Sequence, residues 1–470
     1  MNKHKNIIIA GLVGCALCAT ATSCQKNEDG TIDLSGYTPQ EEVTLVYNHP
    51  CALYSAADFE RVRTAIADGT LNAAQQEEFN ALKNNTYVNG DYGTVTHAHE
   101  QIVRGDATGT KENRETVGDA MHDAAAAHQF GLLWQLTRDA QYAKKGIKIL
   151  MDWAHTCKEV TANDNNYYLA AGAQGYTFAL AGEELRDYEE WSESEFTEYK
   201  NWMKDVFGDK NYKFLQLHGS SNCGSHKHYM SNWDLVNLCS YLQIGILTED
   251  DAIVQFVADY FTKTGSGLGA IPNILQATYD FQTPVGVEKI AQAQESGRDQ
   301  GHATMAIVVM ANLAQTAWAL YESNPTYTNL DFFSSNDYAL LHMAEYNAMA
   351  NLKTGTHADI TISNGAGVQG GEWLYSLTQI PFTPVGPWCS NPSHEAGRTQ
   401  TAFGQQGRGQ LRPGFEIFYK HYKNVAGSYF LKKYAEVNRP ECGSGDLRYG
   451  PNSGAFDQIG WGTLMFYEGD

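Results

Sequence analysis

The chain has 470 residues, and 54 acidic side chains against 33 basic ones give it a formal charge of −21. An acidic chain of this kind disfavours nucleic acid as a partner, because nucleic acid is bound by basic surfaces. A polyanionic substrate would need a local basic cleft, which the arginines near the end of the chain could supply.

The first residues are typical of a lipoprotein leader. Lys3 and Lys5 precede an apolar run, residues 7–18, that is too short to span a membrane, and small residues lead to Cys24. We therefore expect residues 1–23 to be a signal peptide and residues 24–46 a lipidated N-terminus and tether. Membrane contact would come only through lipid on Cys24. The polar, acidic residues after Cys24 favour an outer-membrane lipoprotein at the cell surface, with a periplasm-facing protein as the alternative.

The cysteines decide little about the fold. Two lie in the leader and Cys24 would carry lipid, which leaves six that could form disulfides in an exported protein. These six allow 15 pairings, and the sequence does not choose among them. No CxxC pair survives in the mature chain, which argues against a structural zinc site. We predict no metal and no cofactor. The six are Cys51, Cys157, Cys223, Cys239, Cys389 and Cys442.

The middle of the chain shows helical periodicity. Ala143, Ile147, Leu150 and Ala154 mark one face of a helix, with Asp139 as its N-cap. No convincing β alternation appears. We predict an all-α toroid, or incomplete barrel, of helical hairpins that forms one domain over residues 47–470. The Gly- and Pro-rich stretch after residue 353 predicts long loops over the cleft, before a last helix at 413–422. A capping box at 192–195 predicts a helix at 196–207, and another helix is predicted to start at 248–251. Further helices are predicted at 169–186, 233–246, 305–321 and 338–352.

The first of three polar clusters spans residues 222–234. His226 and His228 have the spacing of a possible metal site, but no acidic residue lies near them, so a loop without metal is the stronger interpretation. Asn232 could bind a ligand or simply cap the helix that begins at Trp233.

The second cluster, residues 294–302, gathers carboxylates, amides, a guanidinium and an imidazole before an apolar helix. So many polar groups are costly to bury unless they meet a polar ligand. Arg298 and His302 are four residues apart, which on a helical turn would place them on one face. The alternative is a structural ion pair of Arg298 with Asp299 or Glu295.

The third cluster lies near the end of the chain and could contribute basic and aromatic groups. Its C-terminal part, from Glu416, could equally be an ordinary amphipathic helix. Its members are His394, Glu395, Arg398, Arg408, Arg412, Glu416, Tyr419, His421 and Tyr422.

Asn, Arg, His and Tyr together suit β-elimination of a uronic-acid polysaccharide. A neutralising group must stabilise the charge that develops on the C5 carboxylate, and Tyr or His must move protons at C5 and O4. A glycosidase would need two carboxylates facing one bond, and no such pair stands out.

On these motifs the chain resembles the alginate-lyase-like polysaccharide lyases with a helical toroid, most closely polysaccharide lyase family 38. The resemblance runs from about His49 to Tyr422 and rests on segments that include 228–235, 295–302 and 416–422. It implies metal-independent cleavage of (1→4)-linked uronans, either alginate (polymannuronate) or glucuronan, to 4,5-unsaturated products.

The resemblance also implies roles for particular residues. Asn232 and Arg298 would neutralise the C5 carboxylate, His226 or His302 would be the base or a second neutraliser, and Tyr229 would protonate O4. We expect a monomer whose partner is an anionic uronan. A glycoside hydrolase on an α/α toroid and a non-catalytic glycan-binding lipoprotein are the alternatives. The residues expected to bind substrate are His228, Glu295, Gln300, Arg398 and Glu416.

Overall fold

The computed structural model describes residues 43–105, 115–219, 229–263, 267–354, 361–363, 367–369, 372–389, 391–410, 412–441 and 459–469. Helices dominate this part of the chain. They are α1 (Ala56–Asp68), α2 (Ala73–Lys83), α3 (Thr86–Asn89), α4 (Val117–Thr137), α5 (Ala140–Thr156), α6 (Asn166–Leu185), α7 (Glu193–Met203), α8 (Asp209–Gly219), α9 (Ser231–Thr248), α10 (Asp251–Thr262), α11 (Ile271–Ile274), α12 (Gln300–Tyr321), α13 (Ser335–Asn351), α14 (Phe415–Tyr422), α15 (Tyr429–Asn438) and α16 (Gly462–Phe466).

Local sequence signals explain where several helices begin. The Asp139 side chain accepts a hydrogen bond from Gln141 N at the start of α5, as predicted. The predicted capping box at Ser192 and Glu195 opens α7, which continues into α8 through a π-helical turn at Lys204–Gly208. These predictions succeed because a cap depends only on neighbouring residues.

Four almost fully buried helices, α4, α6, α9 and α12, form the inner wall of the toroid and pack side by side in that order. Gly172 and Gly175 of α6 allow the close approach to α9, since a Cβ at these positions would lie 2.7 Å from Val236 and 2.2 Å from Ser240. Residue numbers increase in the same direction along both helices, from 172 to 175 in α6 and from 236 to 240 in α9, so α6 and α9 run parallel.

The same reasoning makes α12 parallel to α9. Cys239 Sγ lies 3.5 Å from Val309 O, and Gln243 Nε2 donates to Thr316 Oγ1 at 3.0 Å. Helix α12 is long and apolar enough to cross a membrane, but 94% of its most apolar window is buried in the fold. It is therefore a core helix, and the N-termini of the inner helices meet at one end of the toroid.

The all-α prediction is confirmed, with only small sheets beside the helices, but one strand pair was missed because no convincing β alternation was recognised in the sequence. Strands β5 (Leu275–Thr283) and β6 (Gly286–Ala293) form an antiparallel hairpin that leads directly into the second polar cluster. The others are β1 (Cys51–Ala52), β2 (Tyr54–Ser55), β3 (Gln101–Val103), β4 (Glu159–Thr161), β7 (Thr361–Ser363) and β8 (Gly367–Gln369).

Both ends of the described chain pack onto the toroid. Leu45 is buried and Val46 N donates to Asn324 Oδ1 at 2.8 Å, so residues 43–46 pack on the domain although the sequence placed them in the tether. The predicted helix at 413–422 is followed by α15 and α16, and α16 packs against α1 and α2. Four described cysteines, Cys51, Cys157, Cys239 and Cys389, are buried free thiols; Cys223 and Cys442 lie outside the described residues.

Candidate active site at the N-termini of the inner helices

The buried carboxylate of Glu295 organises the site. Its Oε1 accepts hydrogen bonds from Asn232 N at 2.8 Å and Ser231 Oγ at 3.1 Å. Its Oε2 accepts from Asn232 Nδ2 at 2.7 Å and Arg298 Nη1 at 3.1 Å. Glu295 therefore joins the start of α9 to the segment before α12 and holds Asn232 beside Arg298.

This geometry settles two alternatives left by the sequence. Asn232 does not cap α9, because the helix already begins at Ser231 and the amide instead donates to Glu295. Arg298 and His302 do not share a helical face, because α12 begins only at Gln300, with Asp299 as its N-cap. They are brought together by the turn at Asp299, which contacts both.

Arg298 is surrounded by three carboxylates. Besides Glu295, its Nη2 lies 2.8 Å from Glu395 Oε2, and its Nε lies 3.7 Å from Asp299 Oδ2. The Arg298 side chain is 15% exposed, whereas that of Glu395 is 49% exposed. The predicted ion pair with Glu295 is thus present, but the guanidinium also faces a carboxylate on the solvent side.

Asp299 and His302 form a dyad at the start of α12. Both Asp299 oxygens lie within 2.9 Å of His302 Nδ1, and Asp299 Oδ1 also accepts from His302 N. Burial alone would raise the pKa of Asp299, but the hydrogen bonds and charge of His302, with the charge of Arg298, lower it to about 2. An ionised Asp299 favours the proton on Nδ1, which leaves Nε2 of the half-exposed imidazole to accept a proton.

Tyr229 lies on the α6 side of the start of α9. Its ring stacks on Trp233 with centroids 3.6 Å apart, and its hydroxyl pairs with Asn165, the residue before α6. Burial raises the pKa of Tyr229 to about 12, against the lowering effect of the Asn165 hydrogen bond. A phenol with this pKa is protonated at neutral pH and can donate a proton.

The loops after residue 391 cover this end of the toroid, as predicted. Gln400 Oε1 accepts from Gly297 N at 2.9 Å, and Gln300 N donates to Gln406 O at 2.7 Å. Arg398 is exposed on the same loop, with its guanidinium on the carbonyls of residues 392 and 393.

Glu295 was predicted to bind substrate, but its buried carboxylate holds Asn232 and Arg298 instead. Two more residues predicted to bind substrate also have structural roles. The Gln300 side chain is 1% exposed, and its Oε1 accepts from Asn351 Nδ2 at 3.0 Å. Glu416 is fully buried and its carboxylate pairs with Arg439, with the Nε and Oε1 atoms 2.5 Å apart. Both predictions fail because the sequence does not reveal which polar groups already have partners inside the protein.

The rest of the third cluster is also largely structural. Arg408 is buried and donates to the carbonyl oxygens of Ala350 and Tyr375, and Arg412 is fully buried. His421 stacks on Phe333 at 3.6 Å, and its pKa is lowered well below the usual range by burial. Helix α14 is a packed helix of the fold, with six of its eight residues buried. Three further predicted residues, Cys24, His226 and His228, lie outside the described residues.

The sequence analysis missed the roles of two described residues at the site. Ser231 bonds to Glu295 from the first turn of α9, and Asn165 reaches Tyr229 from the start of α6. The run of polar residues just before α6, at 163–165, was a usable signal, since it resembles the polar runs before α9 and α12.

One group of side chains among the described residues converges like a set of metal ligands. His49, Cys51 and Glu183 bring their ligand atoms within 4.8 Å of one another near the C-terminal end of α6. The guanidinium of Arg186, however, lies 2.7 Å from both His49 Nδ1 and Glu183 Oε2, and it supplies the positive charge there. These contacts describe a structural ion network.

Comparison with known families agrees with the fold. The family model described as alginate lyase matches residues 64–324, more than half of the chain. The chain therefore belongs to the alginate lyase family of polysaccharide lyases. A search of curated proteins by sequence gave no match.

Two solved structures share the fold. Alginate lyase A1-III from Sphingomonas species A1 is 13% identical, with a TM-score of 0.50 over 90% of this chain and 99% of that chain. A variant of A1-III complexed with tetrasaccharide is 13% identical, with a TM-score of 0.52 over 90% of this chain and 98% of that one. At this identity the similarity concerns the helical toroid.

Proposed function

We propose that this protein cleaves (1→4)-linked uronans, alginate in its polymannuronate form or glucuronan, by β-elimination without a metal. The observation that carries the proposal is the Glu295 network, which holds Asn232 and Arg298 together beside the Asp299–His302 dyad. Membership of the alginate lyase family and the tetrasaccharide complex of a structural relative support an anionic polysaccharide as substrate.

Arg298 and Asn232 serve the carboxylate of the uronate that loses its C5 proton. Removing this proton places a second negative charge on the carboxylate, so donors fixed beforehand around it lower the barrier. The buried Glu295 carboxylate positions both side chains, and the Arg298 guanidinium supplies a charged hydrogen-bond donor to the substrate carboxylate. Positive partial charge at the N-termini of α9 and α12 adds to the same effect.

His302 and Tyr229 move the protons. His302 Nε2 takes the proton from C5, the C–H electrons form the C4–C5 double bond, and the C4–O4 bond breaks. Tyr229 Oη then donates a proton to the departing O4. The ionised Asp299 stabilises the imidazolium that forms, and the raised pKa of Tyr229 keeps its proton available. The stacked rings of Tyr229 and Trp233 give a sugar ring an apolar surface.

The test is to incubate the mature protein separately with mannuronan, guluronan and glucuronan and to follow ultraviolet absorbance. A new double bond gives rising absorbance, a hydrolase gives reducing ends without it, and a binding protein gives neither. His302→Asn should lose roughly 100- to 10,000-fold in rate, the range for one proton-transfer role. His155→Asn is the matched control, because His155 is 53% exposed and pairs only loosely with Glu198, at 3.5 Å.

We also propose that lipid on Cys24 anchors this lyase to the outer membrane, on the cell surface. The leader and the acidic residues after Cys24 support this location. A surface enzyme would meet a polymer that is too large to cross the membrane.

A further inference from the structure

The Glu395 carboxylate occupies the solvent side of Arg298. Glu395 Oε2 lies 2.8 Å from Arg298 Nη2, and the Glu395 side chain is 49% exposed. The Glu295 carboxylate, which is fully buried, pairs with the same guanidinium from inside the protein. The face of Arg298 that a ligand from solvent could reach therefore already holds a carboxylate that belongs to the protein.

Charge makes it unfavourable for a substrate carboxylate to join this group. One guanidinium faces Glu295, Asp299 and Glu395, so the four groups have a formal charge of −2. A uronate at Arg298 would bring this to −3 around a single cation. Like charges at close range repel strongly in a partly buried site, so one carboxylate must leave when the uronate arrives.

Glu395 is the carboxylate that can leave. Glu295 is fixed by Ser231 and Asn232, and Asp299 is fixed by His302. The described contacts of the Glu395 carboxylate, in contrast, consist of the ion pair with Arg298. An ion pair with one half-exposed partner is worth little, because water can replace it.

The segment that carries Glu395 rests on the start of α9. Ala396 forms a small apolar cluster with Met230, Cys389 and Trp388, away from the main core. Met230 is the residue between Tyr229 and Ser231, so this segment, residues 391–400, lies over the site. Asn232, two residues after Met230, is only 1% exposed, and its side chain donates to Glu295.

We propose that Glu395 is an internal competitor for the uronate-binding position on Arg298, so that only a glycan with its own carboxylate can replace it. This inference rests on the proposed function. It makes Glu395 a specificity-determining residue, because a neutral sugar has no carboxylate that could pair with Arg298 once the Glu395 ion pair is broken. The turn that carries Glu395 would move off Arg298 as the uronate binds.

The test compares Glu395→Gln with Asp337→Asn in steady-state assays on the best uronan substrate. Asp337→Asn also removes one carboxylate from an exposed ion pair, because Asp337 lies 3.0 Å from Lys289, but this pair is away from Arg298. Glu395→Gln should lower KM about two- to fivefold with kcat within twofold of wild type, since an exposed pair is worth up to about fivefold in binding. Asp337→Asn should leave both constants unchanged.

Hydrogen exchange gives a second readout. An oligomannuronate added to the inactive Tyr229→Phe protein should speed exchange of the amides of Gly397 and Arg398, which bond within the segment. If wild type cleaves uronans but Glu395→Gln has an unchanged or raised KM, or lower kcat, the competitor role is wrong and the proposed function stands. If wild type neither binds nor cleaves any uronan, the proposed function fails, and this inference with it.

Discussion

Replacing Glu295 by Gln tests whether one buried carboxylate positions both Asn232 and Arg298. The substitution keeps the shape of the side chain and one oxygen, which can still accept from Asn232 N and Ser231 Oγ. The amide nitrogen would replace Oε2 and face two other donors, Asn232 Nδ2 and Arg298 Nη1. Two good hydrogen bonds thus become donor–donor contacts.

The expected cost follows from these contacts. A hydrogen bond to a charged group contributes about 1.5–3 kcal/mol, and breaking a buried ion pair costs about 3–5 kcal/mol. Because Arg298 keeps two other carboxylates nearby, we expect the lower value, about 3 kcal/mol of unfolding free energy. Misplacing Arg298 and Asn232 should lower kcat/KM by at least about 100-fold.

The measurement pairs urea unfolding with steady-state kinetics on a uronan. Glu345→Gln is the control, because Glu345 is also fully buried and accepts two backbone hydrogen bonds, from Phe430 and Leu431. That variant should lose stability and keep its activity per folded molecule. If Glu295→Gln keeps kcat/KM within twofold of wild type, Glu295 does not position the site and the reasoning is refuted.

Four further results are expected. Tyr229→Phe should lower kcat by roughly 100- to 10,000-fold while oligouronate binding by calorimetry is largely kept; near-normal turnover would exclude Tyr229 as the acid. Asp299→Asn should lower kcat at least about 100-fold, because His302 loses the partner that fixes its proton on Nδ1; a rate within threefold of wild type would contradict this. Burial raises the pKa of Glu184 from 4.5 to about 7, so the folded state holds an extra proton between these values. The stabilisation that this proton gives is therefore complete below pH 4.5 and is lost as pH rises through 7. The difference in thermal midpoint between wild type and Glu184→Gln should fall from pH 5 to pH 8, and a difference that does not change with pH would contradict the raised pKa. Cys24→Ala should abolish incorporation of labelled fatty acid, and continued labelling would place the lipid elsewhere.

The all-α fold could be predicted because α5 shows a clear apolar face, with Ala143, Leu150 and Ala154 buried, and because the inner helices are long and apolar on all sides. The hairpin β5–β6 was missed although Ala277, Tyr279 and Phe281 alternate with polar residues before a Pro284–Val285 turn. The predicted helices on both sides of this segment led us to overlook it. Alternation of apolar and polar residues is the pattern expected of a half-buried strand.

The candidate site could be predicted only in part. Polar runs before α9 and α12 marked the two segments that meet, since parallel inner helices bring their N-termini together. The ion pair of Arg298 with Glu395 joins residues about a hundred positions apart, and nothing in the local pattern reveals it. Gln300 and Glu416 looked available in the sequence, but internal partners occupy both. Local composition indicates which residues are polar, and only packing shows which of them remain accessible.

The mass of the oligosaccharides released from a uronan tests the central claim most directly. Elimination predicts that each cut leaves a chain one water lighter than the saturated oligouronate of the same length, with its double bond at the new non-reducing end. This product should disappear in His302→Asn and in Tyr229→Phe. Release of saturated oligouronates alone, at the mass of hydrolysis products, would contradict β-elimination at the Arg298 site.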